Sequence, residues 1–175
     1  MDRDGLARTI YDRTHLTGEF RLRSGTVSNE YFDKYLFESD PELLRAIGTA
    51  LVPLLPTDAD ALAGLELGGV PLATMLSQLT GLPALFVRKE AKSYGTCRLA
   101  EGGDVEGRRL AVVEDVVTSG GQVVASCGDL RELGATVEHA VCVIDRESGG
   151  SKNLADIDVE LRALFTMSDL ERAAR

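Results

Sequence analysis

The chain has 175 residues, 44% of them hydrophobic, with a formal net charge of -9 and a pI near 4.7. That suffices for one domain with a full core and is too acidic for duplex nucleic acid as a main partner. Three widely spaced cysteines (Cys97, Cys127, Cys142) and two histidines (His15, His139) argue against a disulfide framework or a zinc site, and no apolar run reaches membrane-spanning length. Met1-Asp2-Arg3-Asp4 lacks the apolar core of a signal peptide, so a reducing cytoplasm is the expected location, with no membrane or nucleic acid as partner.

In chain order, Leu6, Ile10 and Arg13 to Leu16 have helical spacing and predict a helix over residues 2–15. Phe20 and Leu22 alternate with polar residues before a Ser24-Gly25 turn, and Tyr31 to Phe37 predicts a second short strand. Asp40-Pro41 supplies an N-cap and a first-turn proline for a helix carrying Leu43, Leu44, Ile47, Leu51 and Leu54. The pattern then becomes rhythmic. Strands are expected at 61–67, 84–87, 110–113, 137–144 and 159–165, and helices at 70–79 and 121–133, the latter stopped by Gly134. Alternating strands and helices imply an α/β fold with a mostly parallel sheet, whose ligands sit beyond the carboxyl ends of the strands.

Three stretches fall after such strands, and further candidates stand near the N-terminus. Leu110 to Val113 has the apolar run of a buried parallel strand and leads into Glu114-Asp115, then Val116-Val117-Thr118-Ser119-Gly120-Gly121-Gln122, then a helix. Helix-terminal N–H groups favour an anion, and glycines let backbone approach a phosphate closely. Two acids ahead of such a cradle can hold sugar hydroxyls, so the loop suits a ribose phosphate. A plain cap and turn is the alternative for the glycines alone. The spacing is neither Walker A nor Gly-x-Gly-x-x-Gly. In 88–98, Arg88, Lys89, Lys92 and Arg98 stand against one acid, Glu90, with Tyr94 and Gly95 between. That is a local charge inversion suited to an anion, or a solvated charged loop. Ile144-Asp145-Arg146-Glu147-Ser148-Gly149-Gly150 follows a strand, with a surface ion pair as the plainer account of Arg146. Near the N-terminus stand Phe20-Arg21-Leu22-Arg23-Ser24-Gly25 and Tyr31-Phe32-Asp33, where ordinary core packing is the alternative for the aromatics.

Val112 to Gly121 resembles the phosphoribosyl diphosphate (PRPP) motif of type I phosphoribosyltransferases. Arg-Lys-Glu-x-Lys-x-Tyr-Gly at 88–95, with Asp-Arg-x-x-Gly-Gly at 145–150, resembles the orotate branch. The resemblance runs roughly from Phe20 to Gly150. It implies a Rossmann-like fold, with a mostly parallel central sheet flanked by helices and a small N-terminal hood. One domain then spans 1–175: the hood takes about 1–40 plus the C-terminal segment, and the core about 41–150. The implied activity is Mg²⁺-assisted transfer of ribose 5-phosphate from PRPP to orotate, releasing pyrophosphate. Carried over, Lys92, Arg88 and Asp115 form the catalytic group. PRPP falls to Arg88, Lys89, Lys92, Tyr94, Arg23 and the run Glu114, Asp115, Val116, Val117, Thr118, Ser119, Gly120, Gly121 and Gln122. Orotate falls to Thr118, Arg146, Tyr31 and Phe32. Mg²⁺ is held mainly through PRPP, with no direct protein ligand. The family's 88–98 loop reaches a neighbouring subunit's site, which implies a homodimer. Three departures stand out: Arg23 and Tyr94 where many members have Lys and His, and no lysine near Gly68 in the stretch 65–71 that resembles the pyrophosphate loop. A transferase for another base, or a PRPP-sensing regulator, are the competing readings.

Overall fold

Asp2 starts the first helix by accepting the Gly5 amide at 2.8 Å, which caps α1 (Arg3–Thr14). The computed structural model describes residues 1–22, 25–91, 93 and 98–175. After α1 the chain forms an antiparallel hairpin, β1 (His15–Arg21) and β2 (Val27–Phe32), with a register shift between Thr17 and Phe20. The second hood strand thus lies earlier than the expected 31–37. Asp33 accepts the Tyr35 amide at 3.1 Å and turns the chain into the one-turn helix α2 (Tyr35–Glu38), which drops Phe37 fully into the core.

Asp40 caps α3 (Pro41–Leu51) by accepting the Glu42 and Leu43 amides, each at 3.1 Å. The expected extension to Leu54 is a tighter 3-10 turn, Val52–Leu54, because Pro53 has no N–H to continue the α-helical ladder. The rest runs β3 (Ala61–Leu65), α4 (Gly69–Thr80), β4 (Ala84–Val87), β5 (Ala100–Glu101), β6 (Arg109–Val117), α5 (Gly121–Glu132), β7 (Thr136–Asp145), α6 (Gly150–Ala155), β8 (Glu160–Thr166) and α7 (Met167–Ala173), the anticipated alternation with three short elements added. β3 stops two residues short of the expected Leu67, and the Glu66–Leu67 peptide is cis. The short β5, α6 and α7 carry too few periodic apolar positions to be read from sequence.

The main sheet has the order β5-β4-β3-β6-β7-β8, parallel throughout except for β5 at one edge. Helices cover both faces, as an all-buried parallel sheet requires. On one face Ile10 of α1, Phe37, Ile47 of α3, Leu72 and Leu76 of α4 and Leu170 of α7 pack on Leu62, Ala111 and Val113. On the other, Val123, Cys127 and Leu130 of α5 and Leu154 of α6 pack on Ala63, Leu110 and Val112. Cys127 and Cys142 are buried free thiols. β6 is central, so its carboxyl end opens where both layers of helices diverge.

Candidate active site

The expected apolar strand, 110–113, continues through Val117, so Glu114 and Asp115 lie inside β6 rather than at its end. Their side chains fold back onto the strand's own backbone. Glu114 Oε1 accepts the Asp115 amide at 3.0 Å, and Asp115 Oδ1 accepts the Val116 amide at 2.5 Å. The sidedness of the strand inverts across this pair: Ala111 and Val113 share a face with Val116, while Leu110 and Val112 share the other with Val117. Side-chain hydrogen bonds to the next amide compete with the ladder here. The register with β7 holds through Val117, and the chain leaves the sheet only after it.

Those residues form the floor of the site. Thr118, Ser119, Gly121 and Gln122 are exposed, and Gly120 has φ +75 at the N-cap of α5 with no side-chain cap. The helix-terminal amides therefore face outward without a competing side chain. The loop is braced from behind. Asn153 donates to the Ser119 carbonyl at 2.8 Å, and the Arg146 amide donates to the Val117 carbonyl at 2.8 Å. A Cβ on Gly150 would lie 2.6 Å from the Thr118 carbonyl and 2.4 Å from Val117 Cγ1. Gly150, part of the stretch that resembles the orotate branch, thus packs directly behind the turn 118–120.

Asp115 is fully buried, and Lys34 Nζ stands 2.6 Å from its Oδ2. Glu38 Oε1 is buried and accepts no hydrogen bond among the described residues. Both acids converge over Gly68, where a Cβ would meet Asp115 Oδ2 at 1.7 Å and Glu38 Oε1 at 2.8 Å. Burial, hydrogen bonding and repulsion from Asp115 push the Glu38 carboxyl up to about 9. Burial and the Asp115 charge push Glu114 up to about 8. Burial also opposes charge on Asp115, but hydrogen bonding from Glu114 and the Lys34 ammonium outweighs it and holds Asp115 below the usual carboxylate range. At neutral pH the group therefore carries one negative and one positive charge, with Glu38 and Glu114 protonated. Lys34 and Glu38 were not singled out from sequence. Their i, i+4 spacing beside the aromatic pair is the available signal, and nothing local connects them to a residue eighty positions on.

Tyr31, Phe32 and Arg146 line one cleft of about 370 Å³ together with His15, Met167 and Glu171. The Arg146 guanidinium lies over the Phe32 ring, 5.7 Å from its centroid, and Tyr31 stacks on Phe20 at 5.5 Å. The alternative of a surface ion pair fails for Arg146: Asp145 accepts the Glu147 amide, and Glu147 accepts from Ser168 N and Oγ. Met167 and Glu171 come from α7, which had no sequence signature.

The basic loop is placed in part. Arg88 pairs with Glu101 of β5 at 3.5 Å, and the Lys89 amide donates to Glu66 at 2.5 Å. Neither contacts Glu114, Asp115 or Arg146 among the described residues. Lys92, Tyr94 and Arg23 lie outside the described residues. So does Cys97.

The phosphoribosyl transferase domain model matches residues 38–162. An orotate phosphoribosyltransferase of Nocardioides sp. is 55% identical over 168 residues, covering 96% of this chain and 94% of its own. The crystal structure of Mycobacterium tuberculosis orotate phosphoribosyltransferase in complex with Fe(III) dicitrate superposes with a TM-score of 0.88 at 29% identity, covering 97% and 99% of the two chains. The same M. tuberculosis enzyme in complex with PRPP gives a TM-score of 0.83 at 26% identity over 98% and 99%. A family model over most of the chain, with relatives alike in sequence, length and fold along nearly all of it, leaves one conclusion: this chain belongs to the orotate phosphoribosyltransferases, pentosyltransferases of the type I phosphoribosyltransferase fold.

Proposed function

We propose that the chain transfers ribose 5-phosphate from PRPP to orotate, giving orotidine 5′-phosphate and pyrophosphate in pyrimidine biosynthesis. One observation carries the reading: the phosphate turn 118–122 and the Arg146 cleft share a backbone seam at Gly120 and Gly150, with buried Asp115 in the strand that feeds the turn. A donor with a phosphate at one end and a reacting carbon near a planar acidic base fits that order.

The 5-phosphate takes the outward amides of 118–122 at the start of α5. Asp115 and Glu114 hold the ribose hydroxyls, the first as acceptor and the second as a neutral acid able to donate. Orotate's carboxylate takes the Arg146 guanidinium, its ring lies against Phe32 and Tyr31, and Thr118 reaches its edge. The anomeric C–O bond breaks with its electron pair leaving on pyrophosphate. The ring nitrogen's lone pair then closes the new C–N bond from the opposite face. Orotate is already acidic, so no strong base is needed. Arg88, Lys89, Lys92, Tyr94 and Arg23 receive the departing diphosphate. Mg²⁺ bound through the donor would supply charge neutralisation to the departing diphosphate. Asp115, already paired with Lys34, and Glu114 would face the sugar hydroxyls and would not ligate the ion directly. The chain works in the cytoplasm as a homodimer whose 88–98 loop completes the neighbouring site.

The decisive experiment follows orotate absorbance after PRPP and Mg²⁺ are added, with adenine, hypoxanthine and uracil as competing acceptors. Loss of orotate with release of pyrophosphate is expected. Turnover of another base, or PRPP binding without turnover, overturns the reading.

A further inference from the structure

The strip 65–71, Leu-Glu-Leu-Gly-Gly-Val-Pro, contains one acid and no cation. It nevertheless forms one wall of the acid group, because Gly68 leaves room for Asp115 and Glu38 over its Cα. The cation at that wall comes from elsewhere in the chain. Lys34, at the N-cap of α2, sends its ammonium across to Asp115 Oδ2 at 2.6 Å, with its side chain only 34% exposed. Its stem runs beside Tyr35, whose ring centroid is 5.3 Å from Nζ. The groups facing Asp115 are few. α2 contributes Lys34 and Glu38, β6 contributes Glu114, β7 contributes the Cys142 thiol, and the loop after β3 contributes Gly68, which has no side chain. Burial first, and then the nearby acids, push the Cys142 thiol far above its ordinary range, so it stays neutral. Lys34 is thus the one positive charge among the described residues that touches Asp115.

A fully buried carboxylate with no cation protonates, and a protonated acid is a poorer acceptor for a sugar hydroxyl. We propose that Lys34 is a positioning residue of the donor site, clamping Asp115 from the hood so that its carboxylate stays ionised and oriented toward the ribose. The proposal rests on the PRPP reading above. It makes the hood part of donor recognition as well as base recognition, through one side chain that meets the donor only by way of Asp115.

The test compares Lys34→Met and Lys34→Arg with the full-length wild type. Three quantities are read: the PRPP dissociation constant by calorimetry, the orotate KM, and the Asp115 titration midpoint in ligand-free protein by carboxyl ¹³C NMR. An opposite charge at this range shifts a carboxylate by roughly one to three pH units. Lys34→Met should therefore raise the Asp115 midpoint by about one unit or more and weaken PRPP binding about tenfold or more. The orotate KM should move by less than about threefold, since Arg146 is untouched. Lys34→Arg keeps the charge and should recover most of both losses. An unmoved Asp115 midpoint overturns the proposal, and so does a shifted midpoint with wild-type PRPP affinity. A wild-type chain that binds PRPP but never consumes orotate overturns the catalytic reading alone, and Lys34 is still scored by the PRPP affinity. Failure of the wild type to bind PRPP overturns both.

Discussion

The floor of the site and its hood are made differently. The floor, from Val117 through α5, is backbone: exposed amides, a left-handed Gly120, and a glycine-to-glycine seam against Gly150. The hood works through side chains projected from two short elements, with Tyr31 and Phe32 on β2 and Lys34 and Glu38 around α2. A backbone site has no titrating group, and at Gly150 it has no room for a methyl. A side-chain site tolerates reshaping, and its function depends on protonation states. In the proposed reading the donor's phosphate takes the first kind of surface, and the groups that tune charge and base take the second.

The largest effect should come from the floor. Gly150→Ala puts a methyl 2.6 Å from the Thr118 carbonyl and 2.4 Å from Val117 Cγ1, and a backbone oxygen has little room to retreat. The expected loss is about 1–3 kcal/mol of stability, with PRPP binding weakened about tenfold or more in calorimetry. Wild-type affinity in that variant would mean that the floor is not set by its backbone.

That contrast also explains what the sequence disclosed. The floor was legible because it lies in one contiguous stretch, Glu114 to Gln122, whose residue types suit a phosphate and a sugar. Tyr31, Phe32 and Arg146 were legible only as members of separate stretches, and the structure brings them into one cleft. Lys34 and Glu38 were not legible, because their partner is eighty residues away and a lysine near a glutamate is ordinary on any surface. The hood strand was misplaced for a related reason. Residues 31–37 have strand-like composition, but burial of Phe37 and the Asp33 turn impose a helix. Local propensity yields where one aromatic gains a full core contact.

A smaller effect tests the hood's charge logic. Glu38 takes up a proton on folding, since its carboxyl rises from an ordinary 4.5 to about 9. The folded state then holds more protons than the unfolded one between those values, so this group lowers stability progressively as pH rises through that window. Glu38→Gln carries no such proton. Urea unfolding between about pH 6 and pH 8 should show a flatter decline, by at most about 1.4 kcal/mol per pH unit. Glu114, raised to about 8 in the same sense, remains in the variant and keeps part of the slope. An unchanged slope would mean that Glu38 is ionised in the fold.

The smallest effect belongs to an ion pair at the rim of the Arg146 cleft. His15 and Glu30 pair at 3.5 Å across the hairpin, with the Glu30 side chain 68% exposed. Glu30→Gln should change unfolding free energy by no more than about 0.5 kcal/mol. A larger change in the urea midpoint would extend the hood's electrostatic organisation beyond the acid group.

The seam between Gly120 and Gly150 bears on how such a protein can be re-engineered. Because the turn 118–120 and the strand exit that carries Arg146 meet at Gly120 and Gly150, neither can be grafted from a relative alone. A transplant of 145–150 would displace 118–120 with it, so new acceptor preferences should be sought by redesigning Tyr31 and Phe32, whose surroundings can be rebuilt while that joint stays intact.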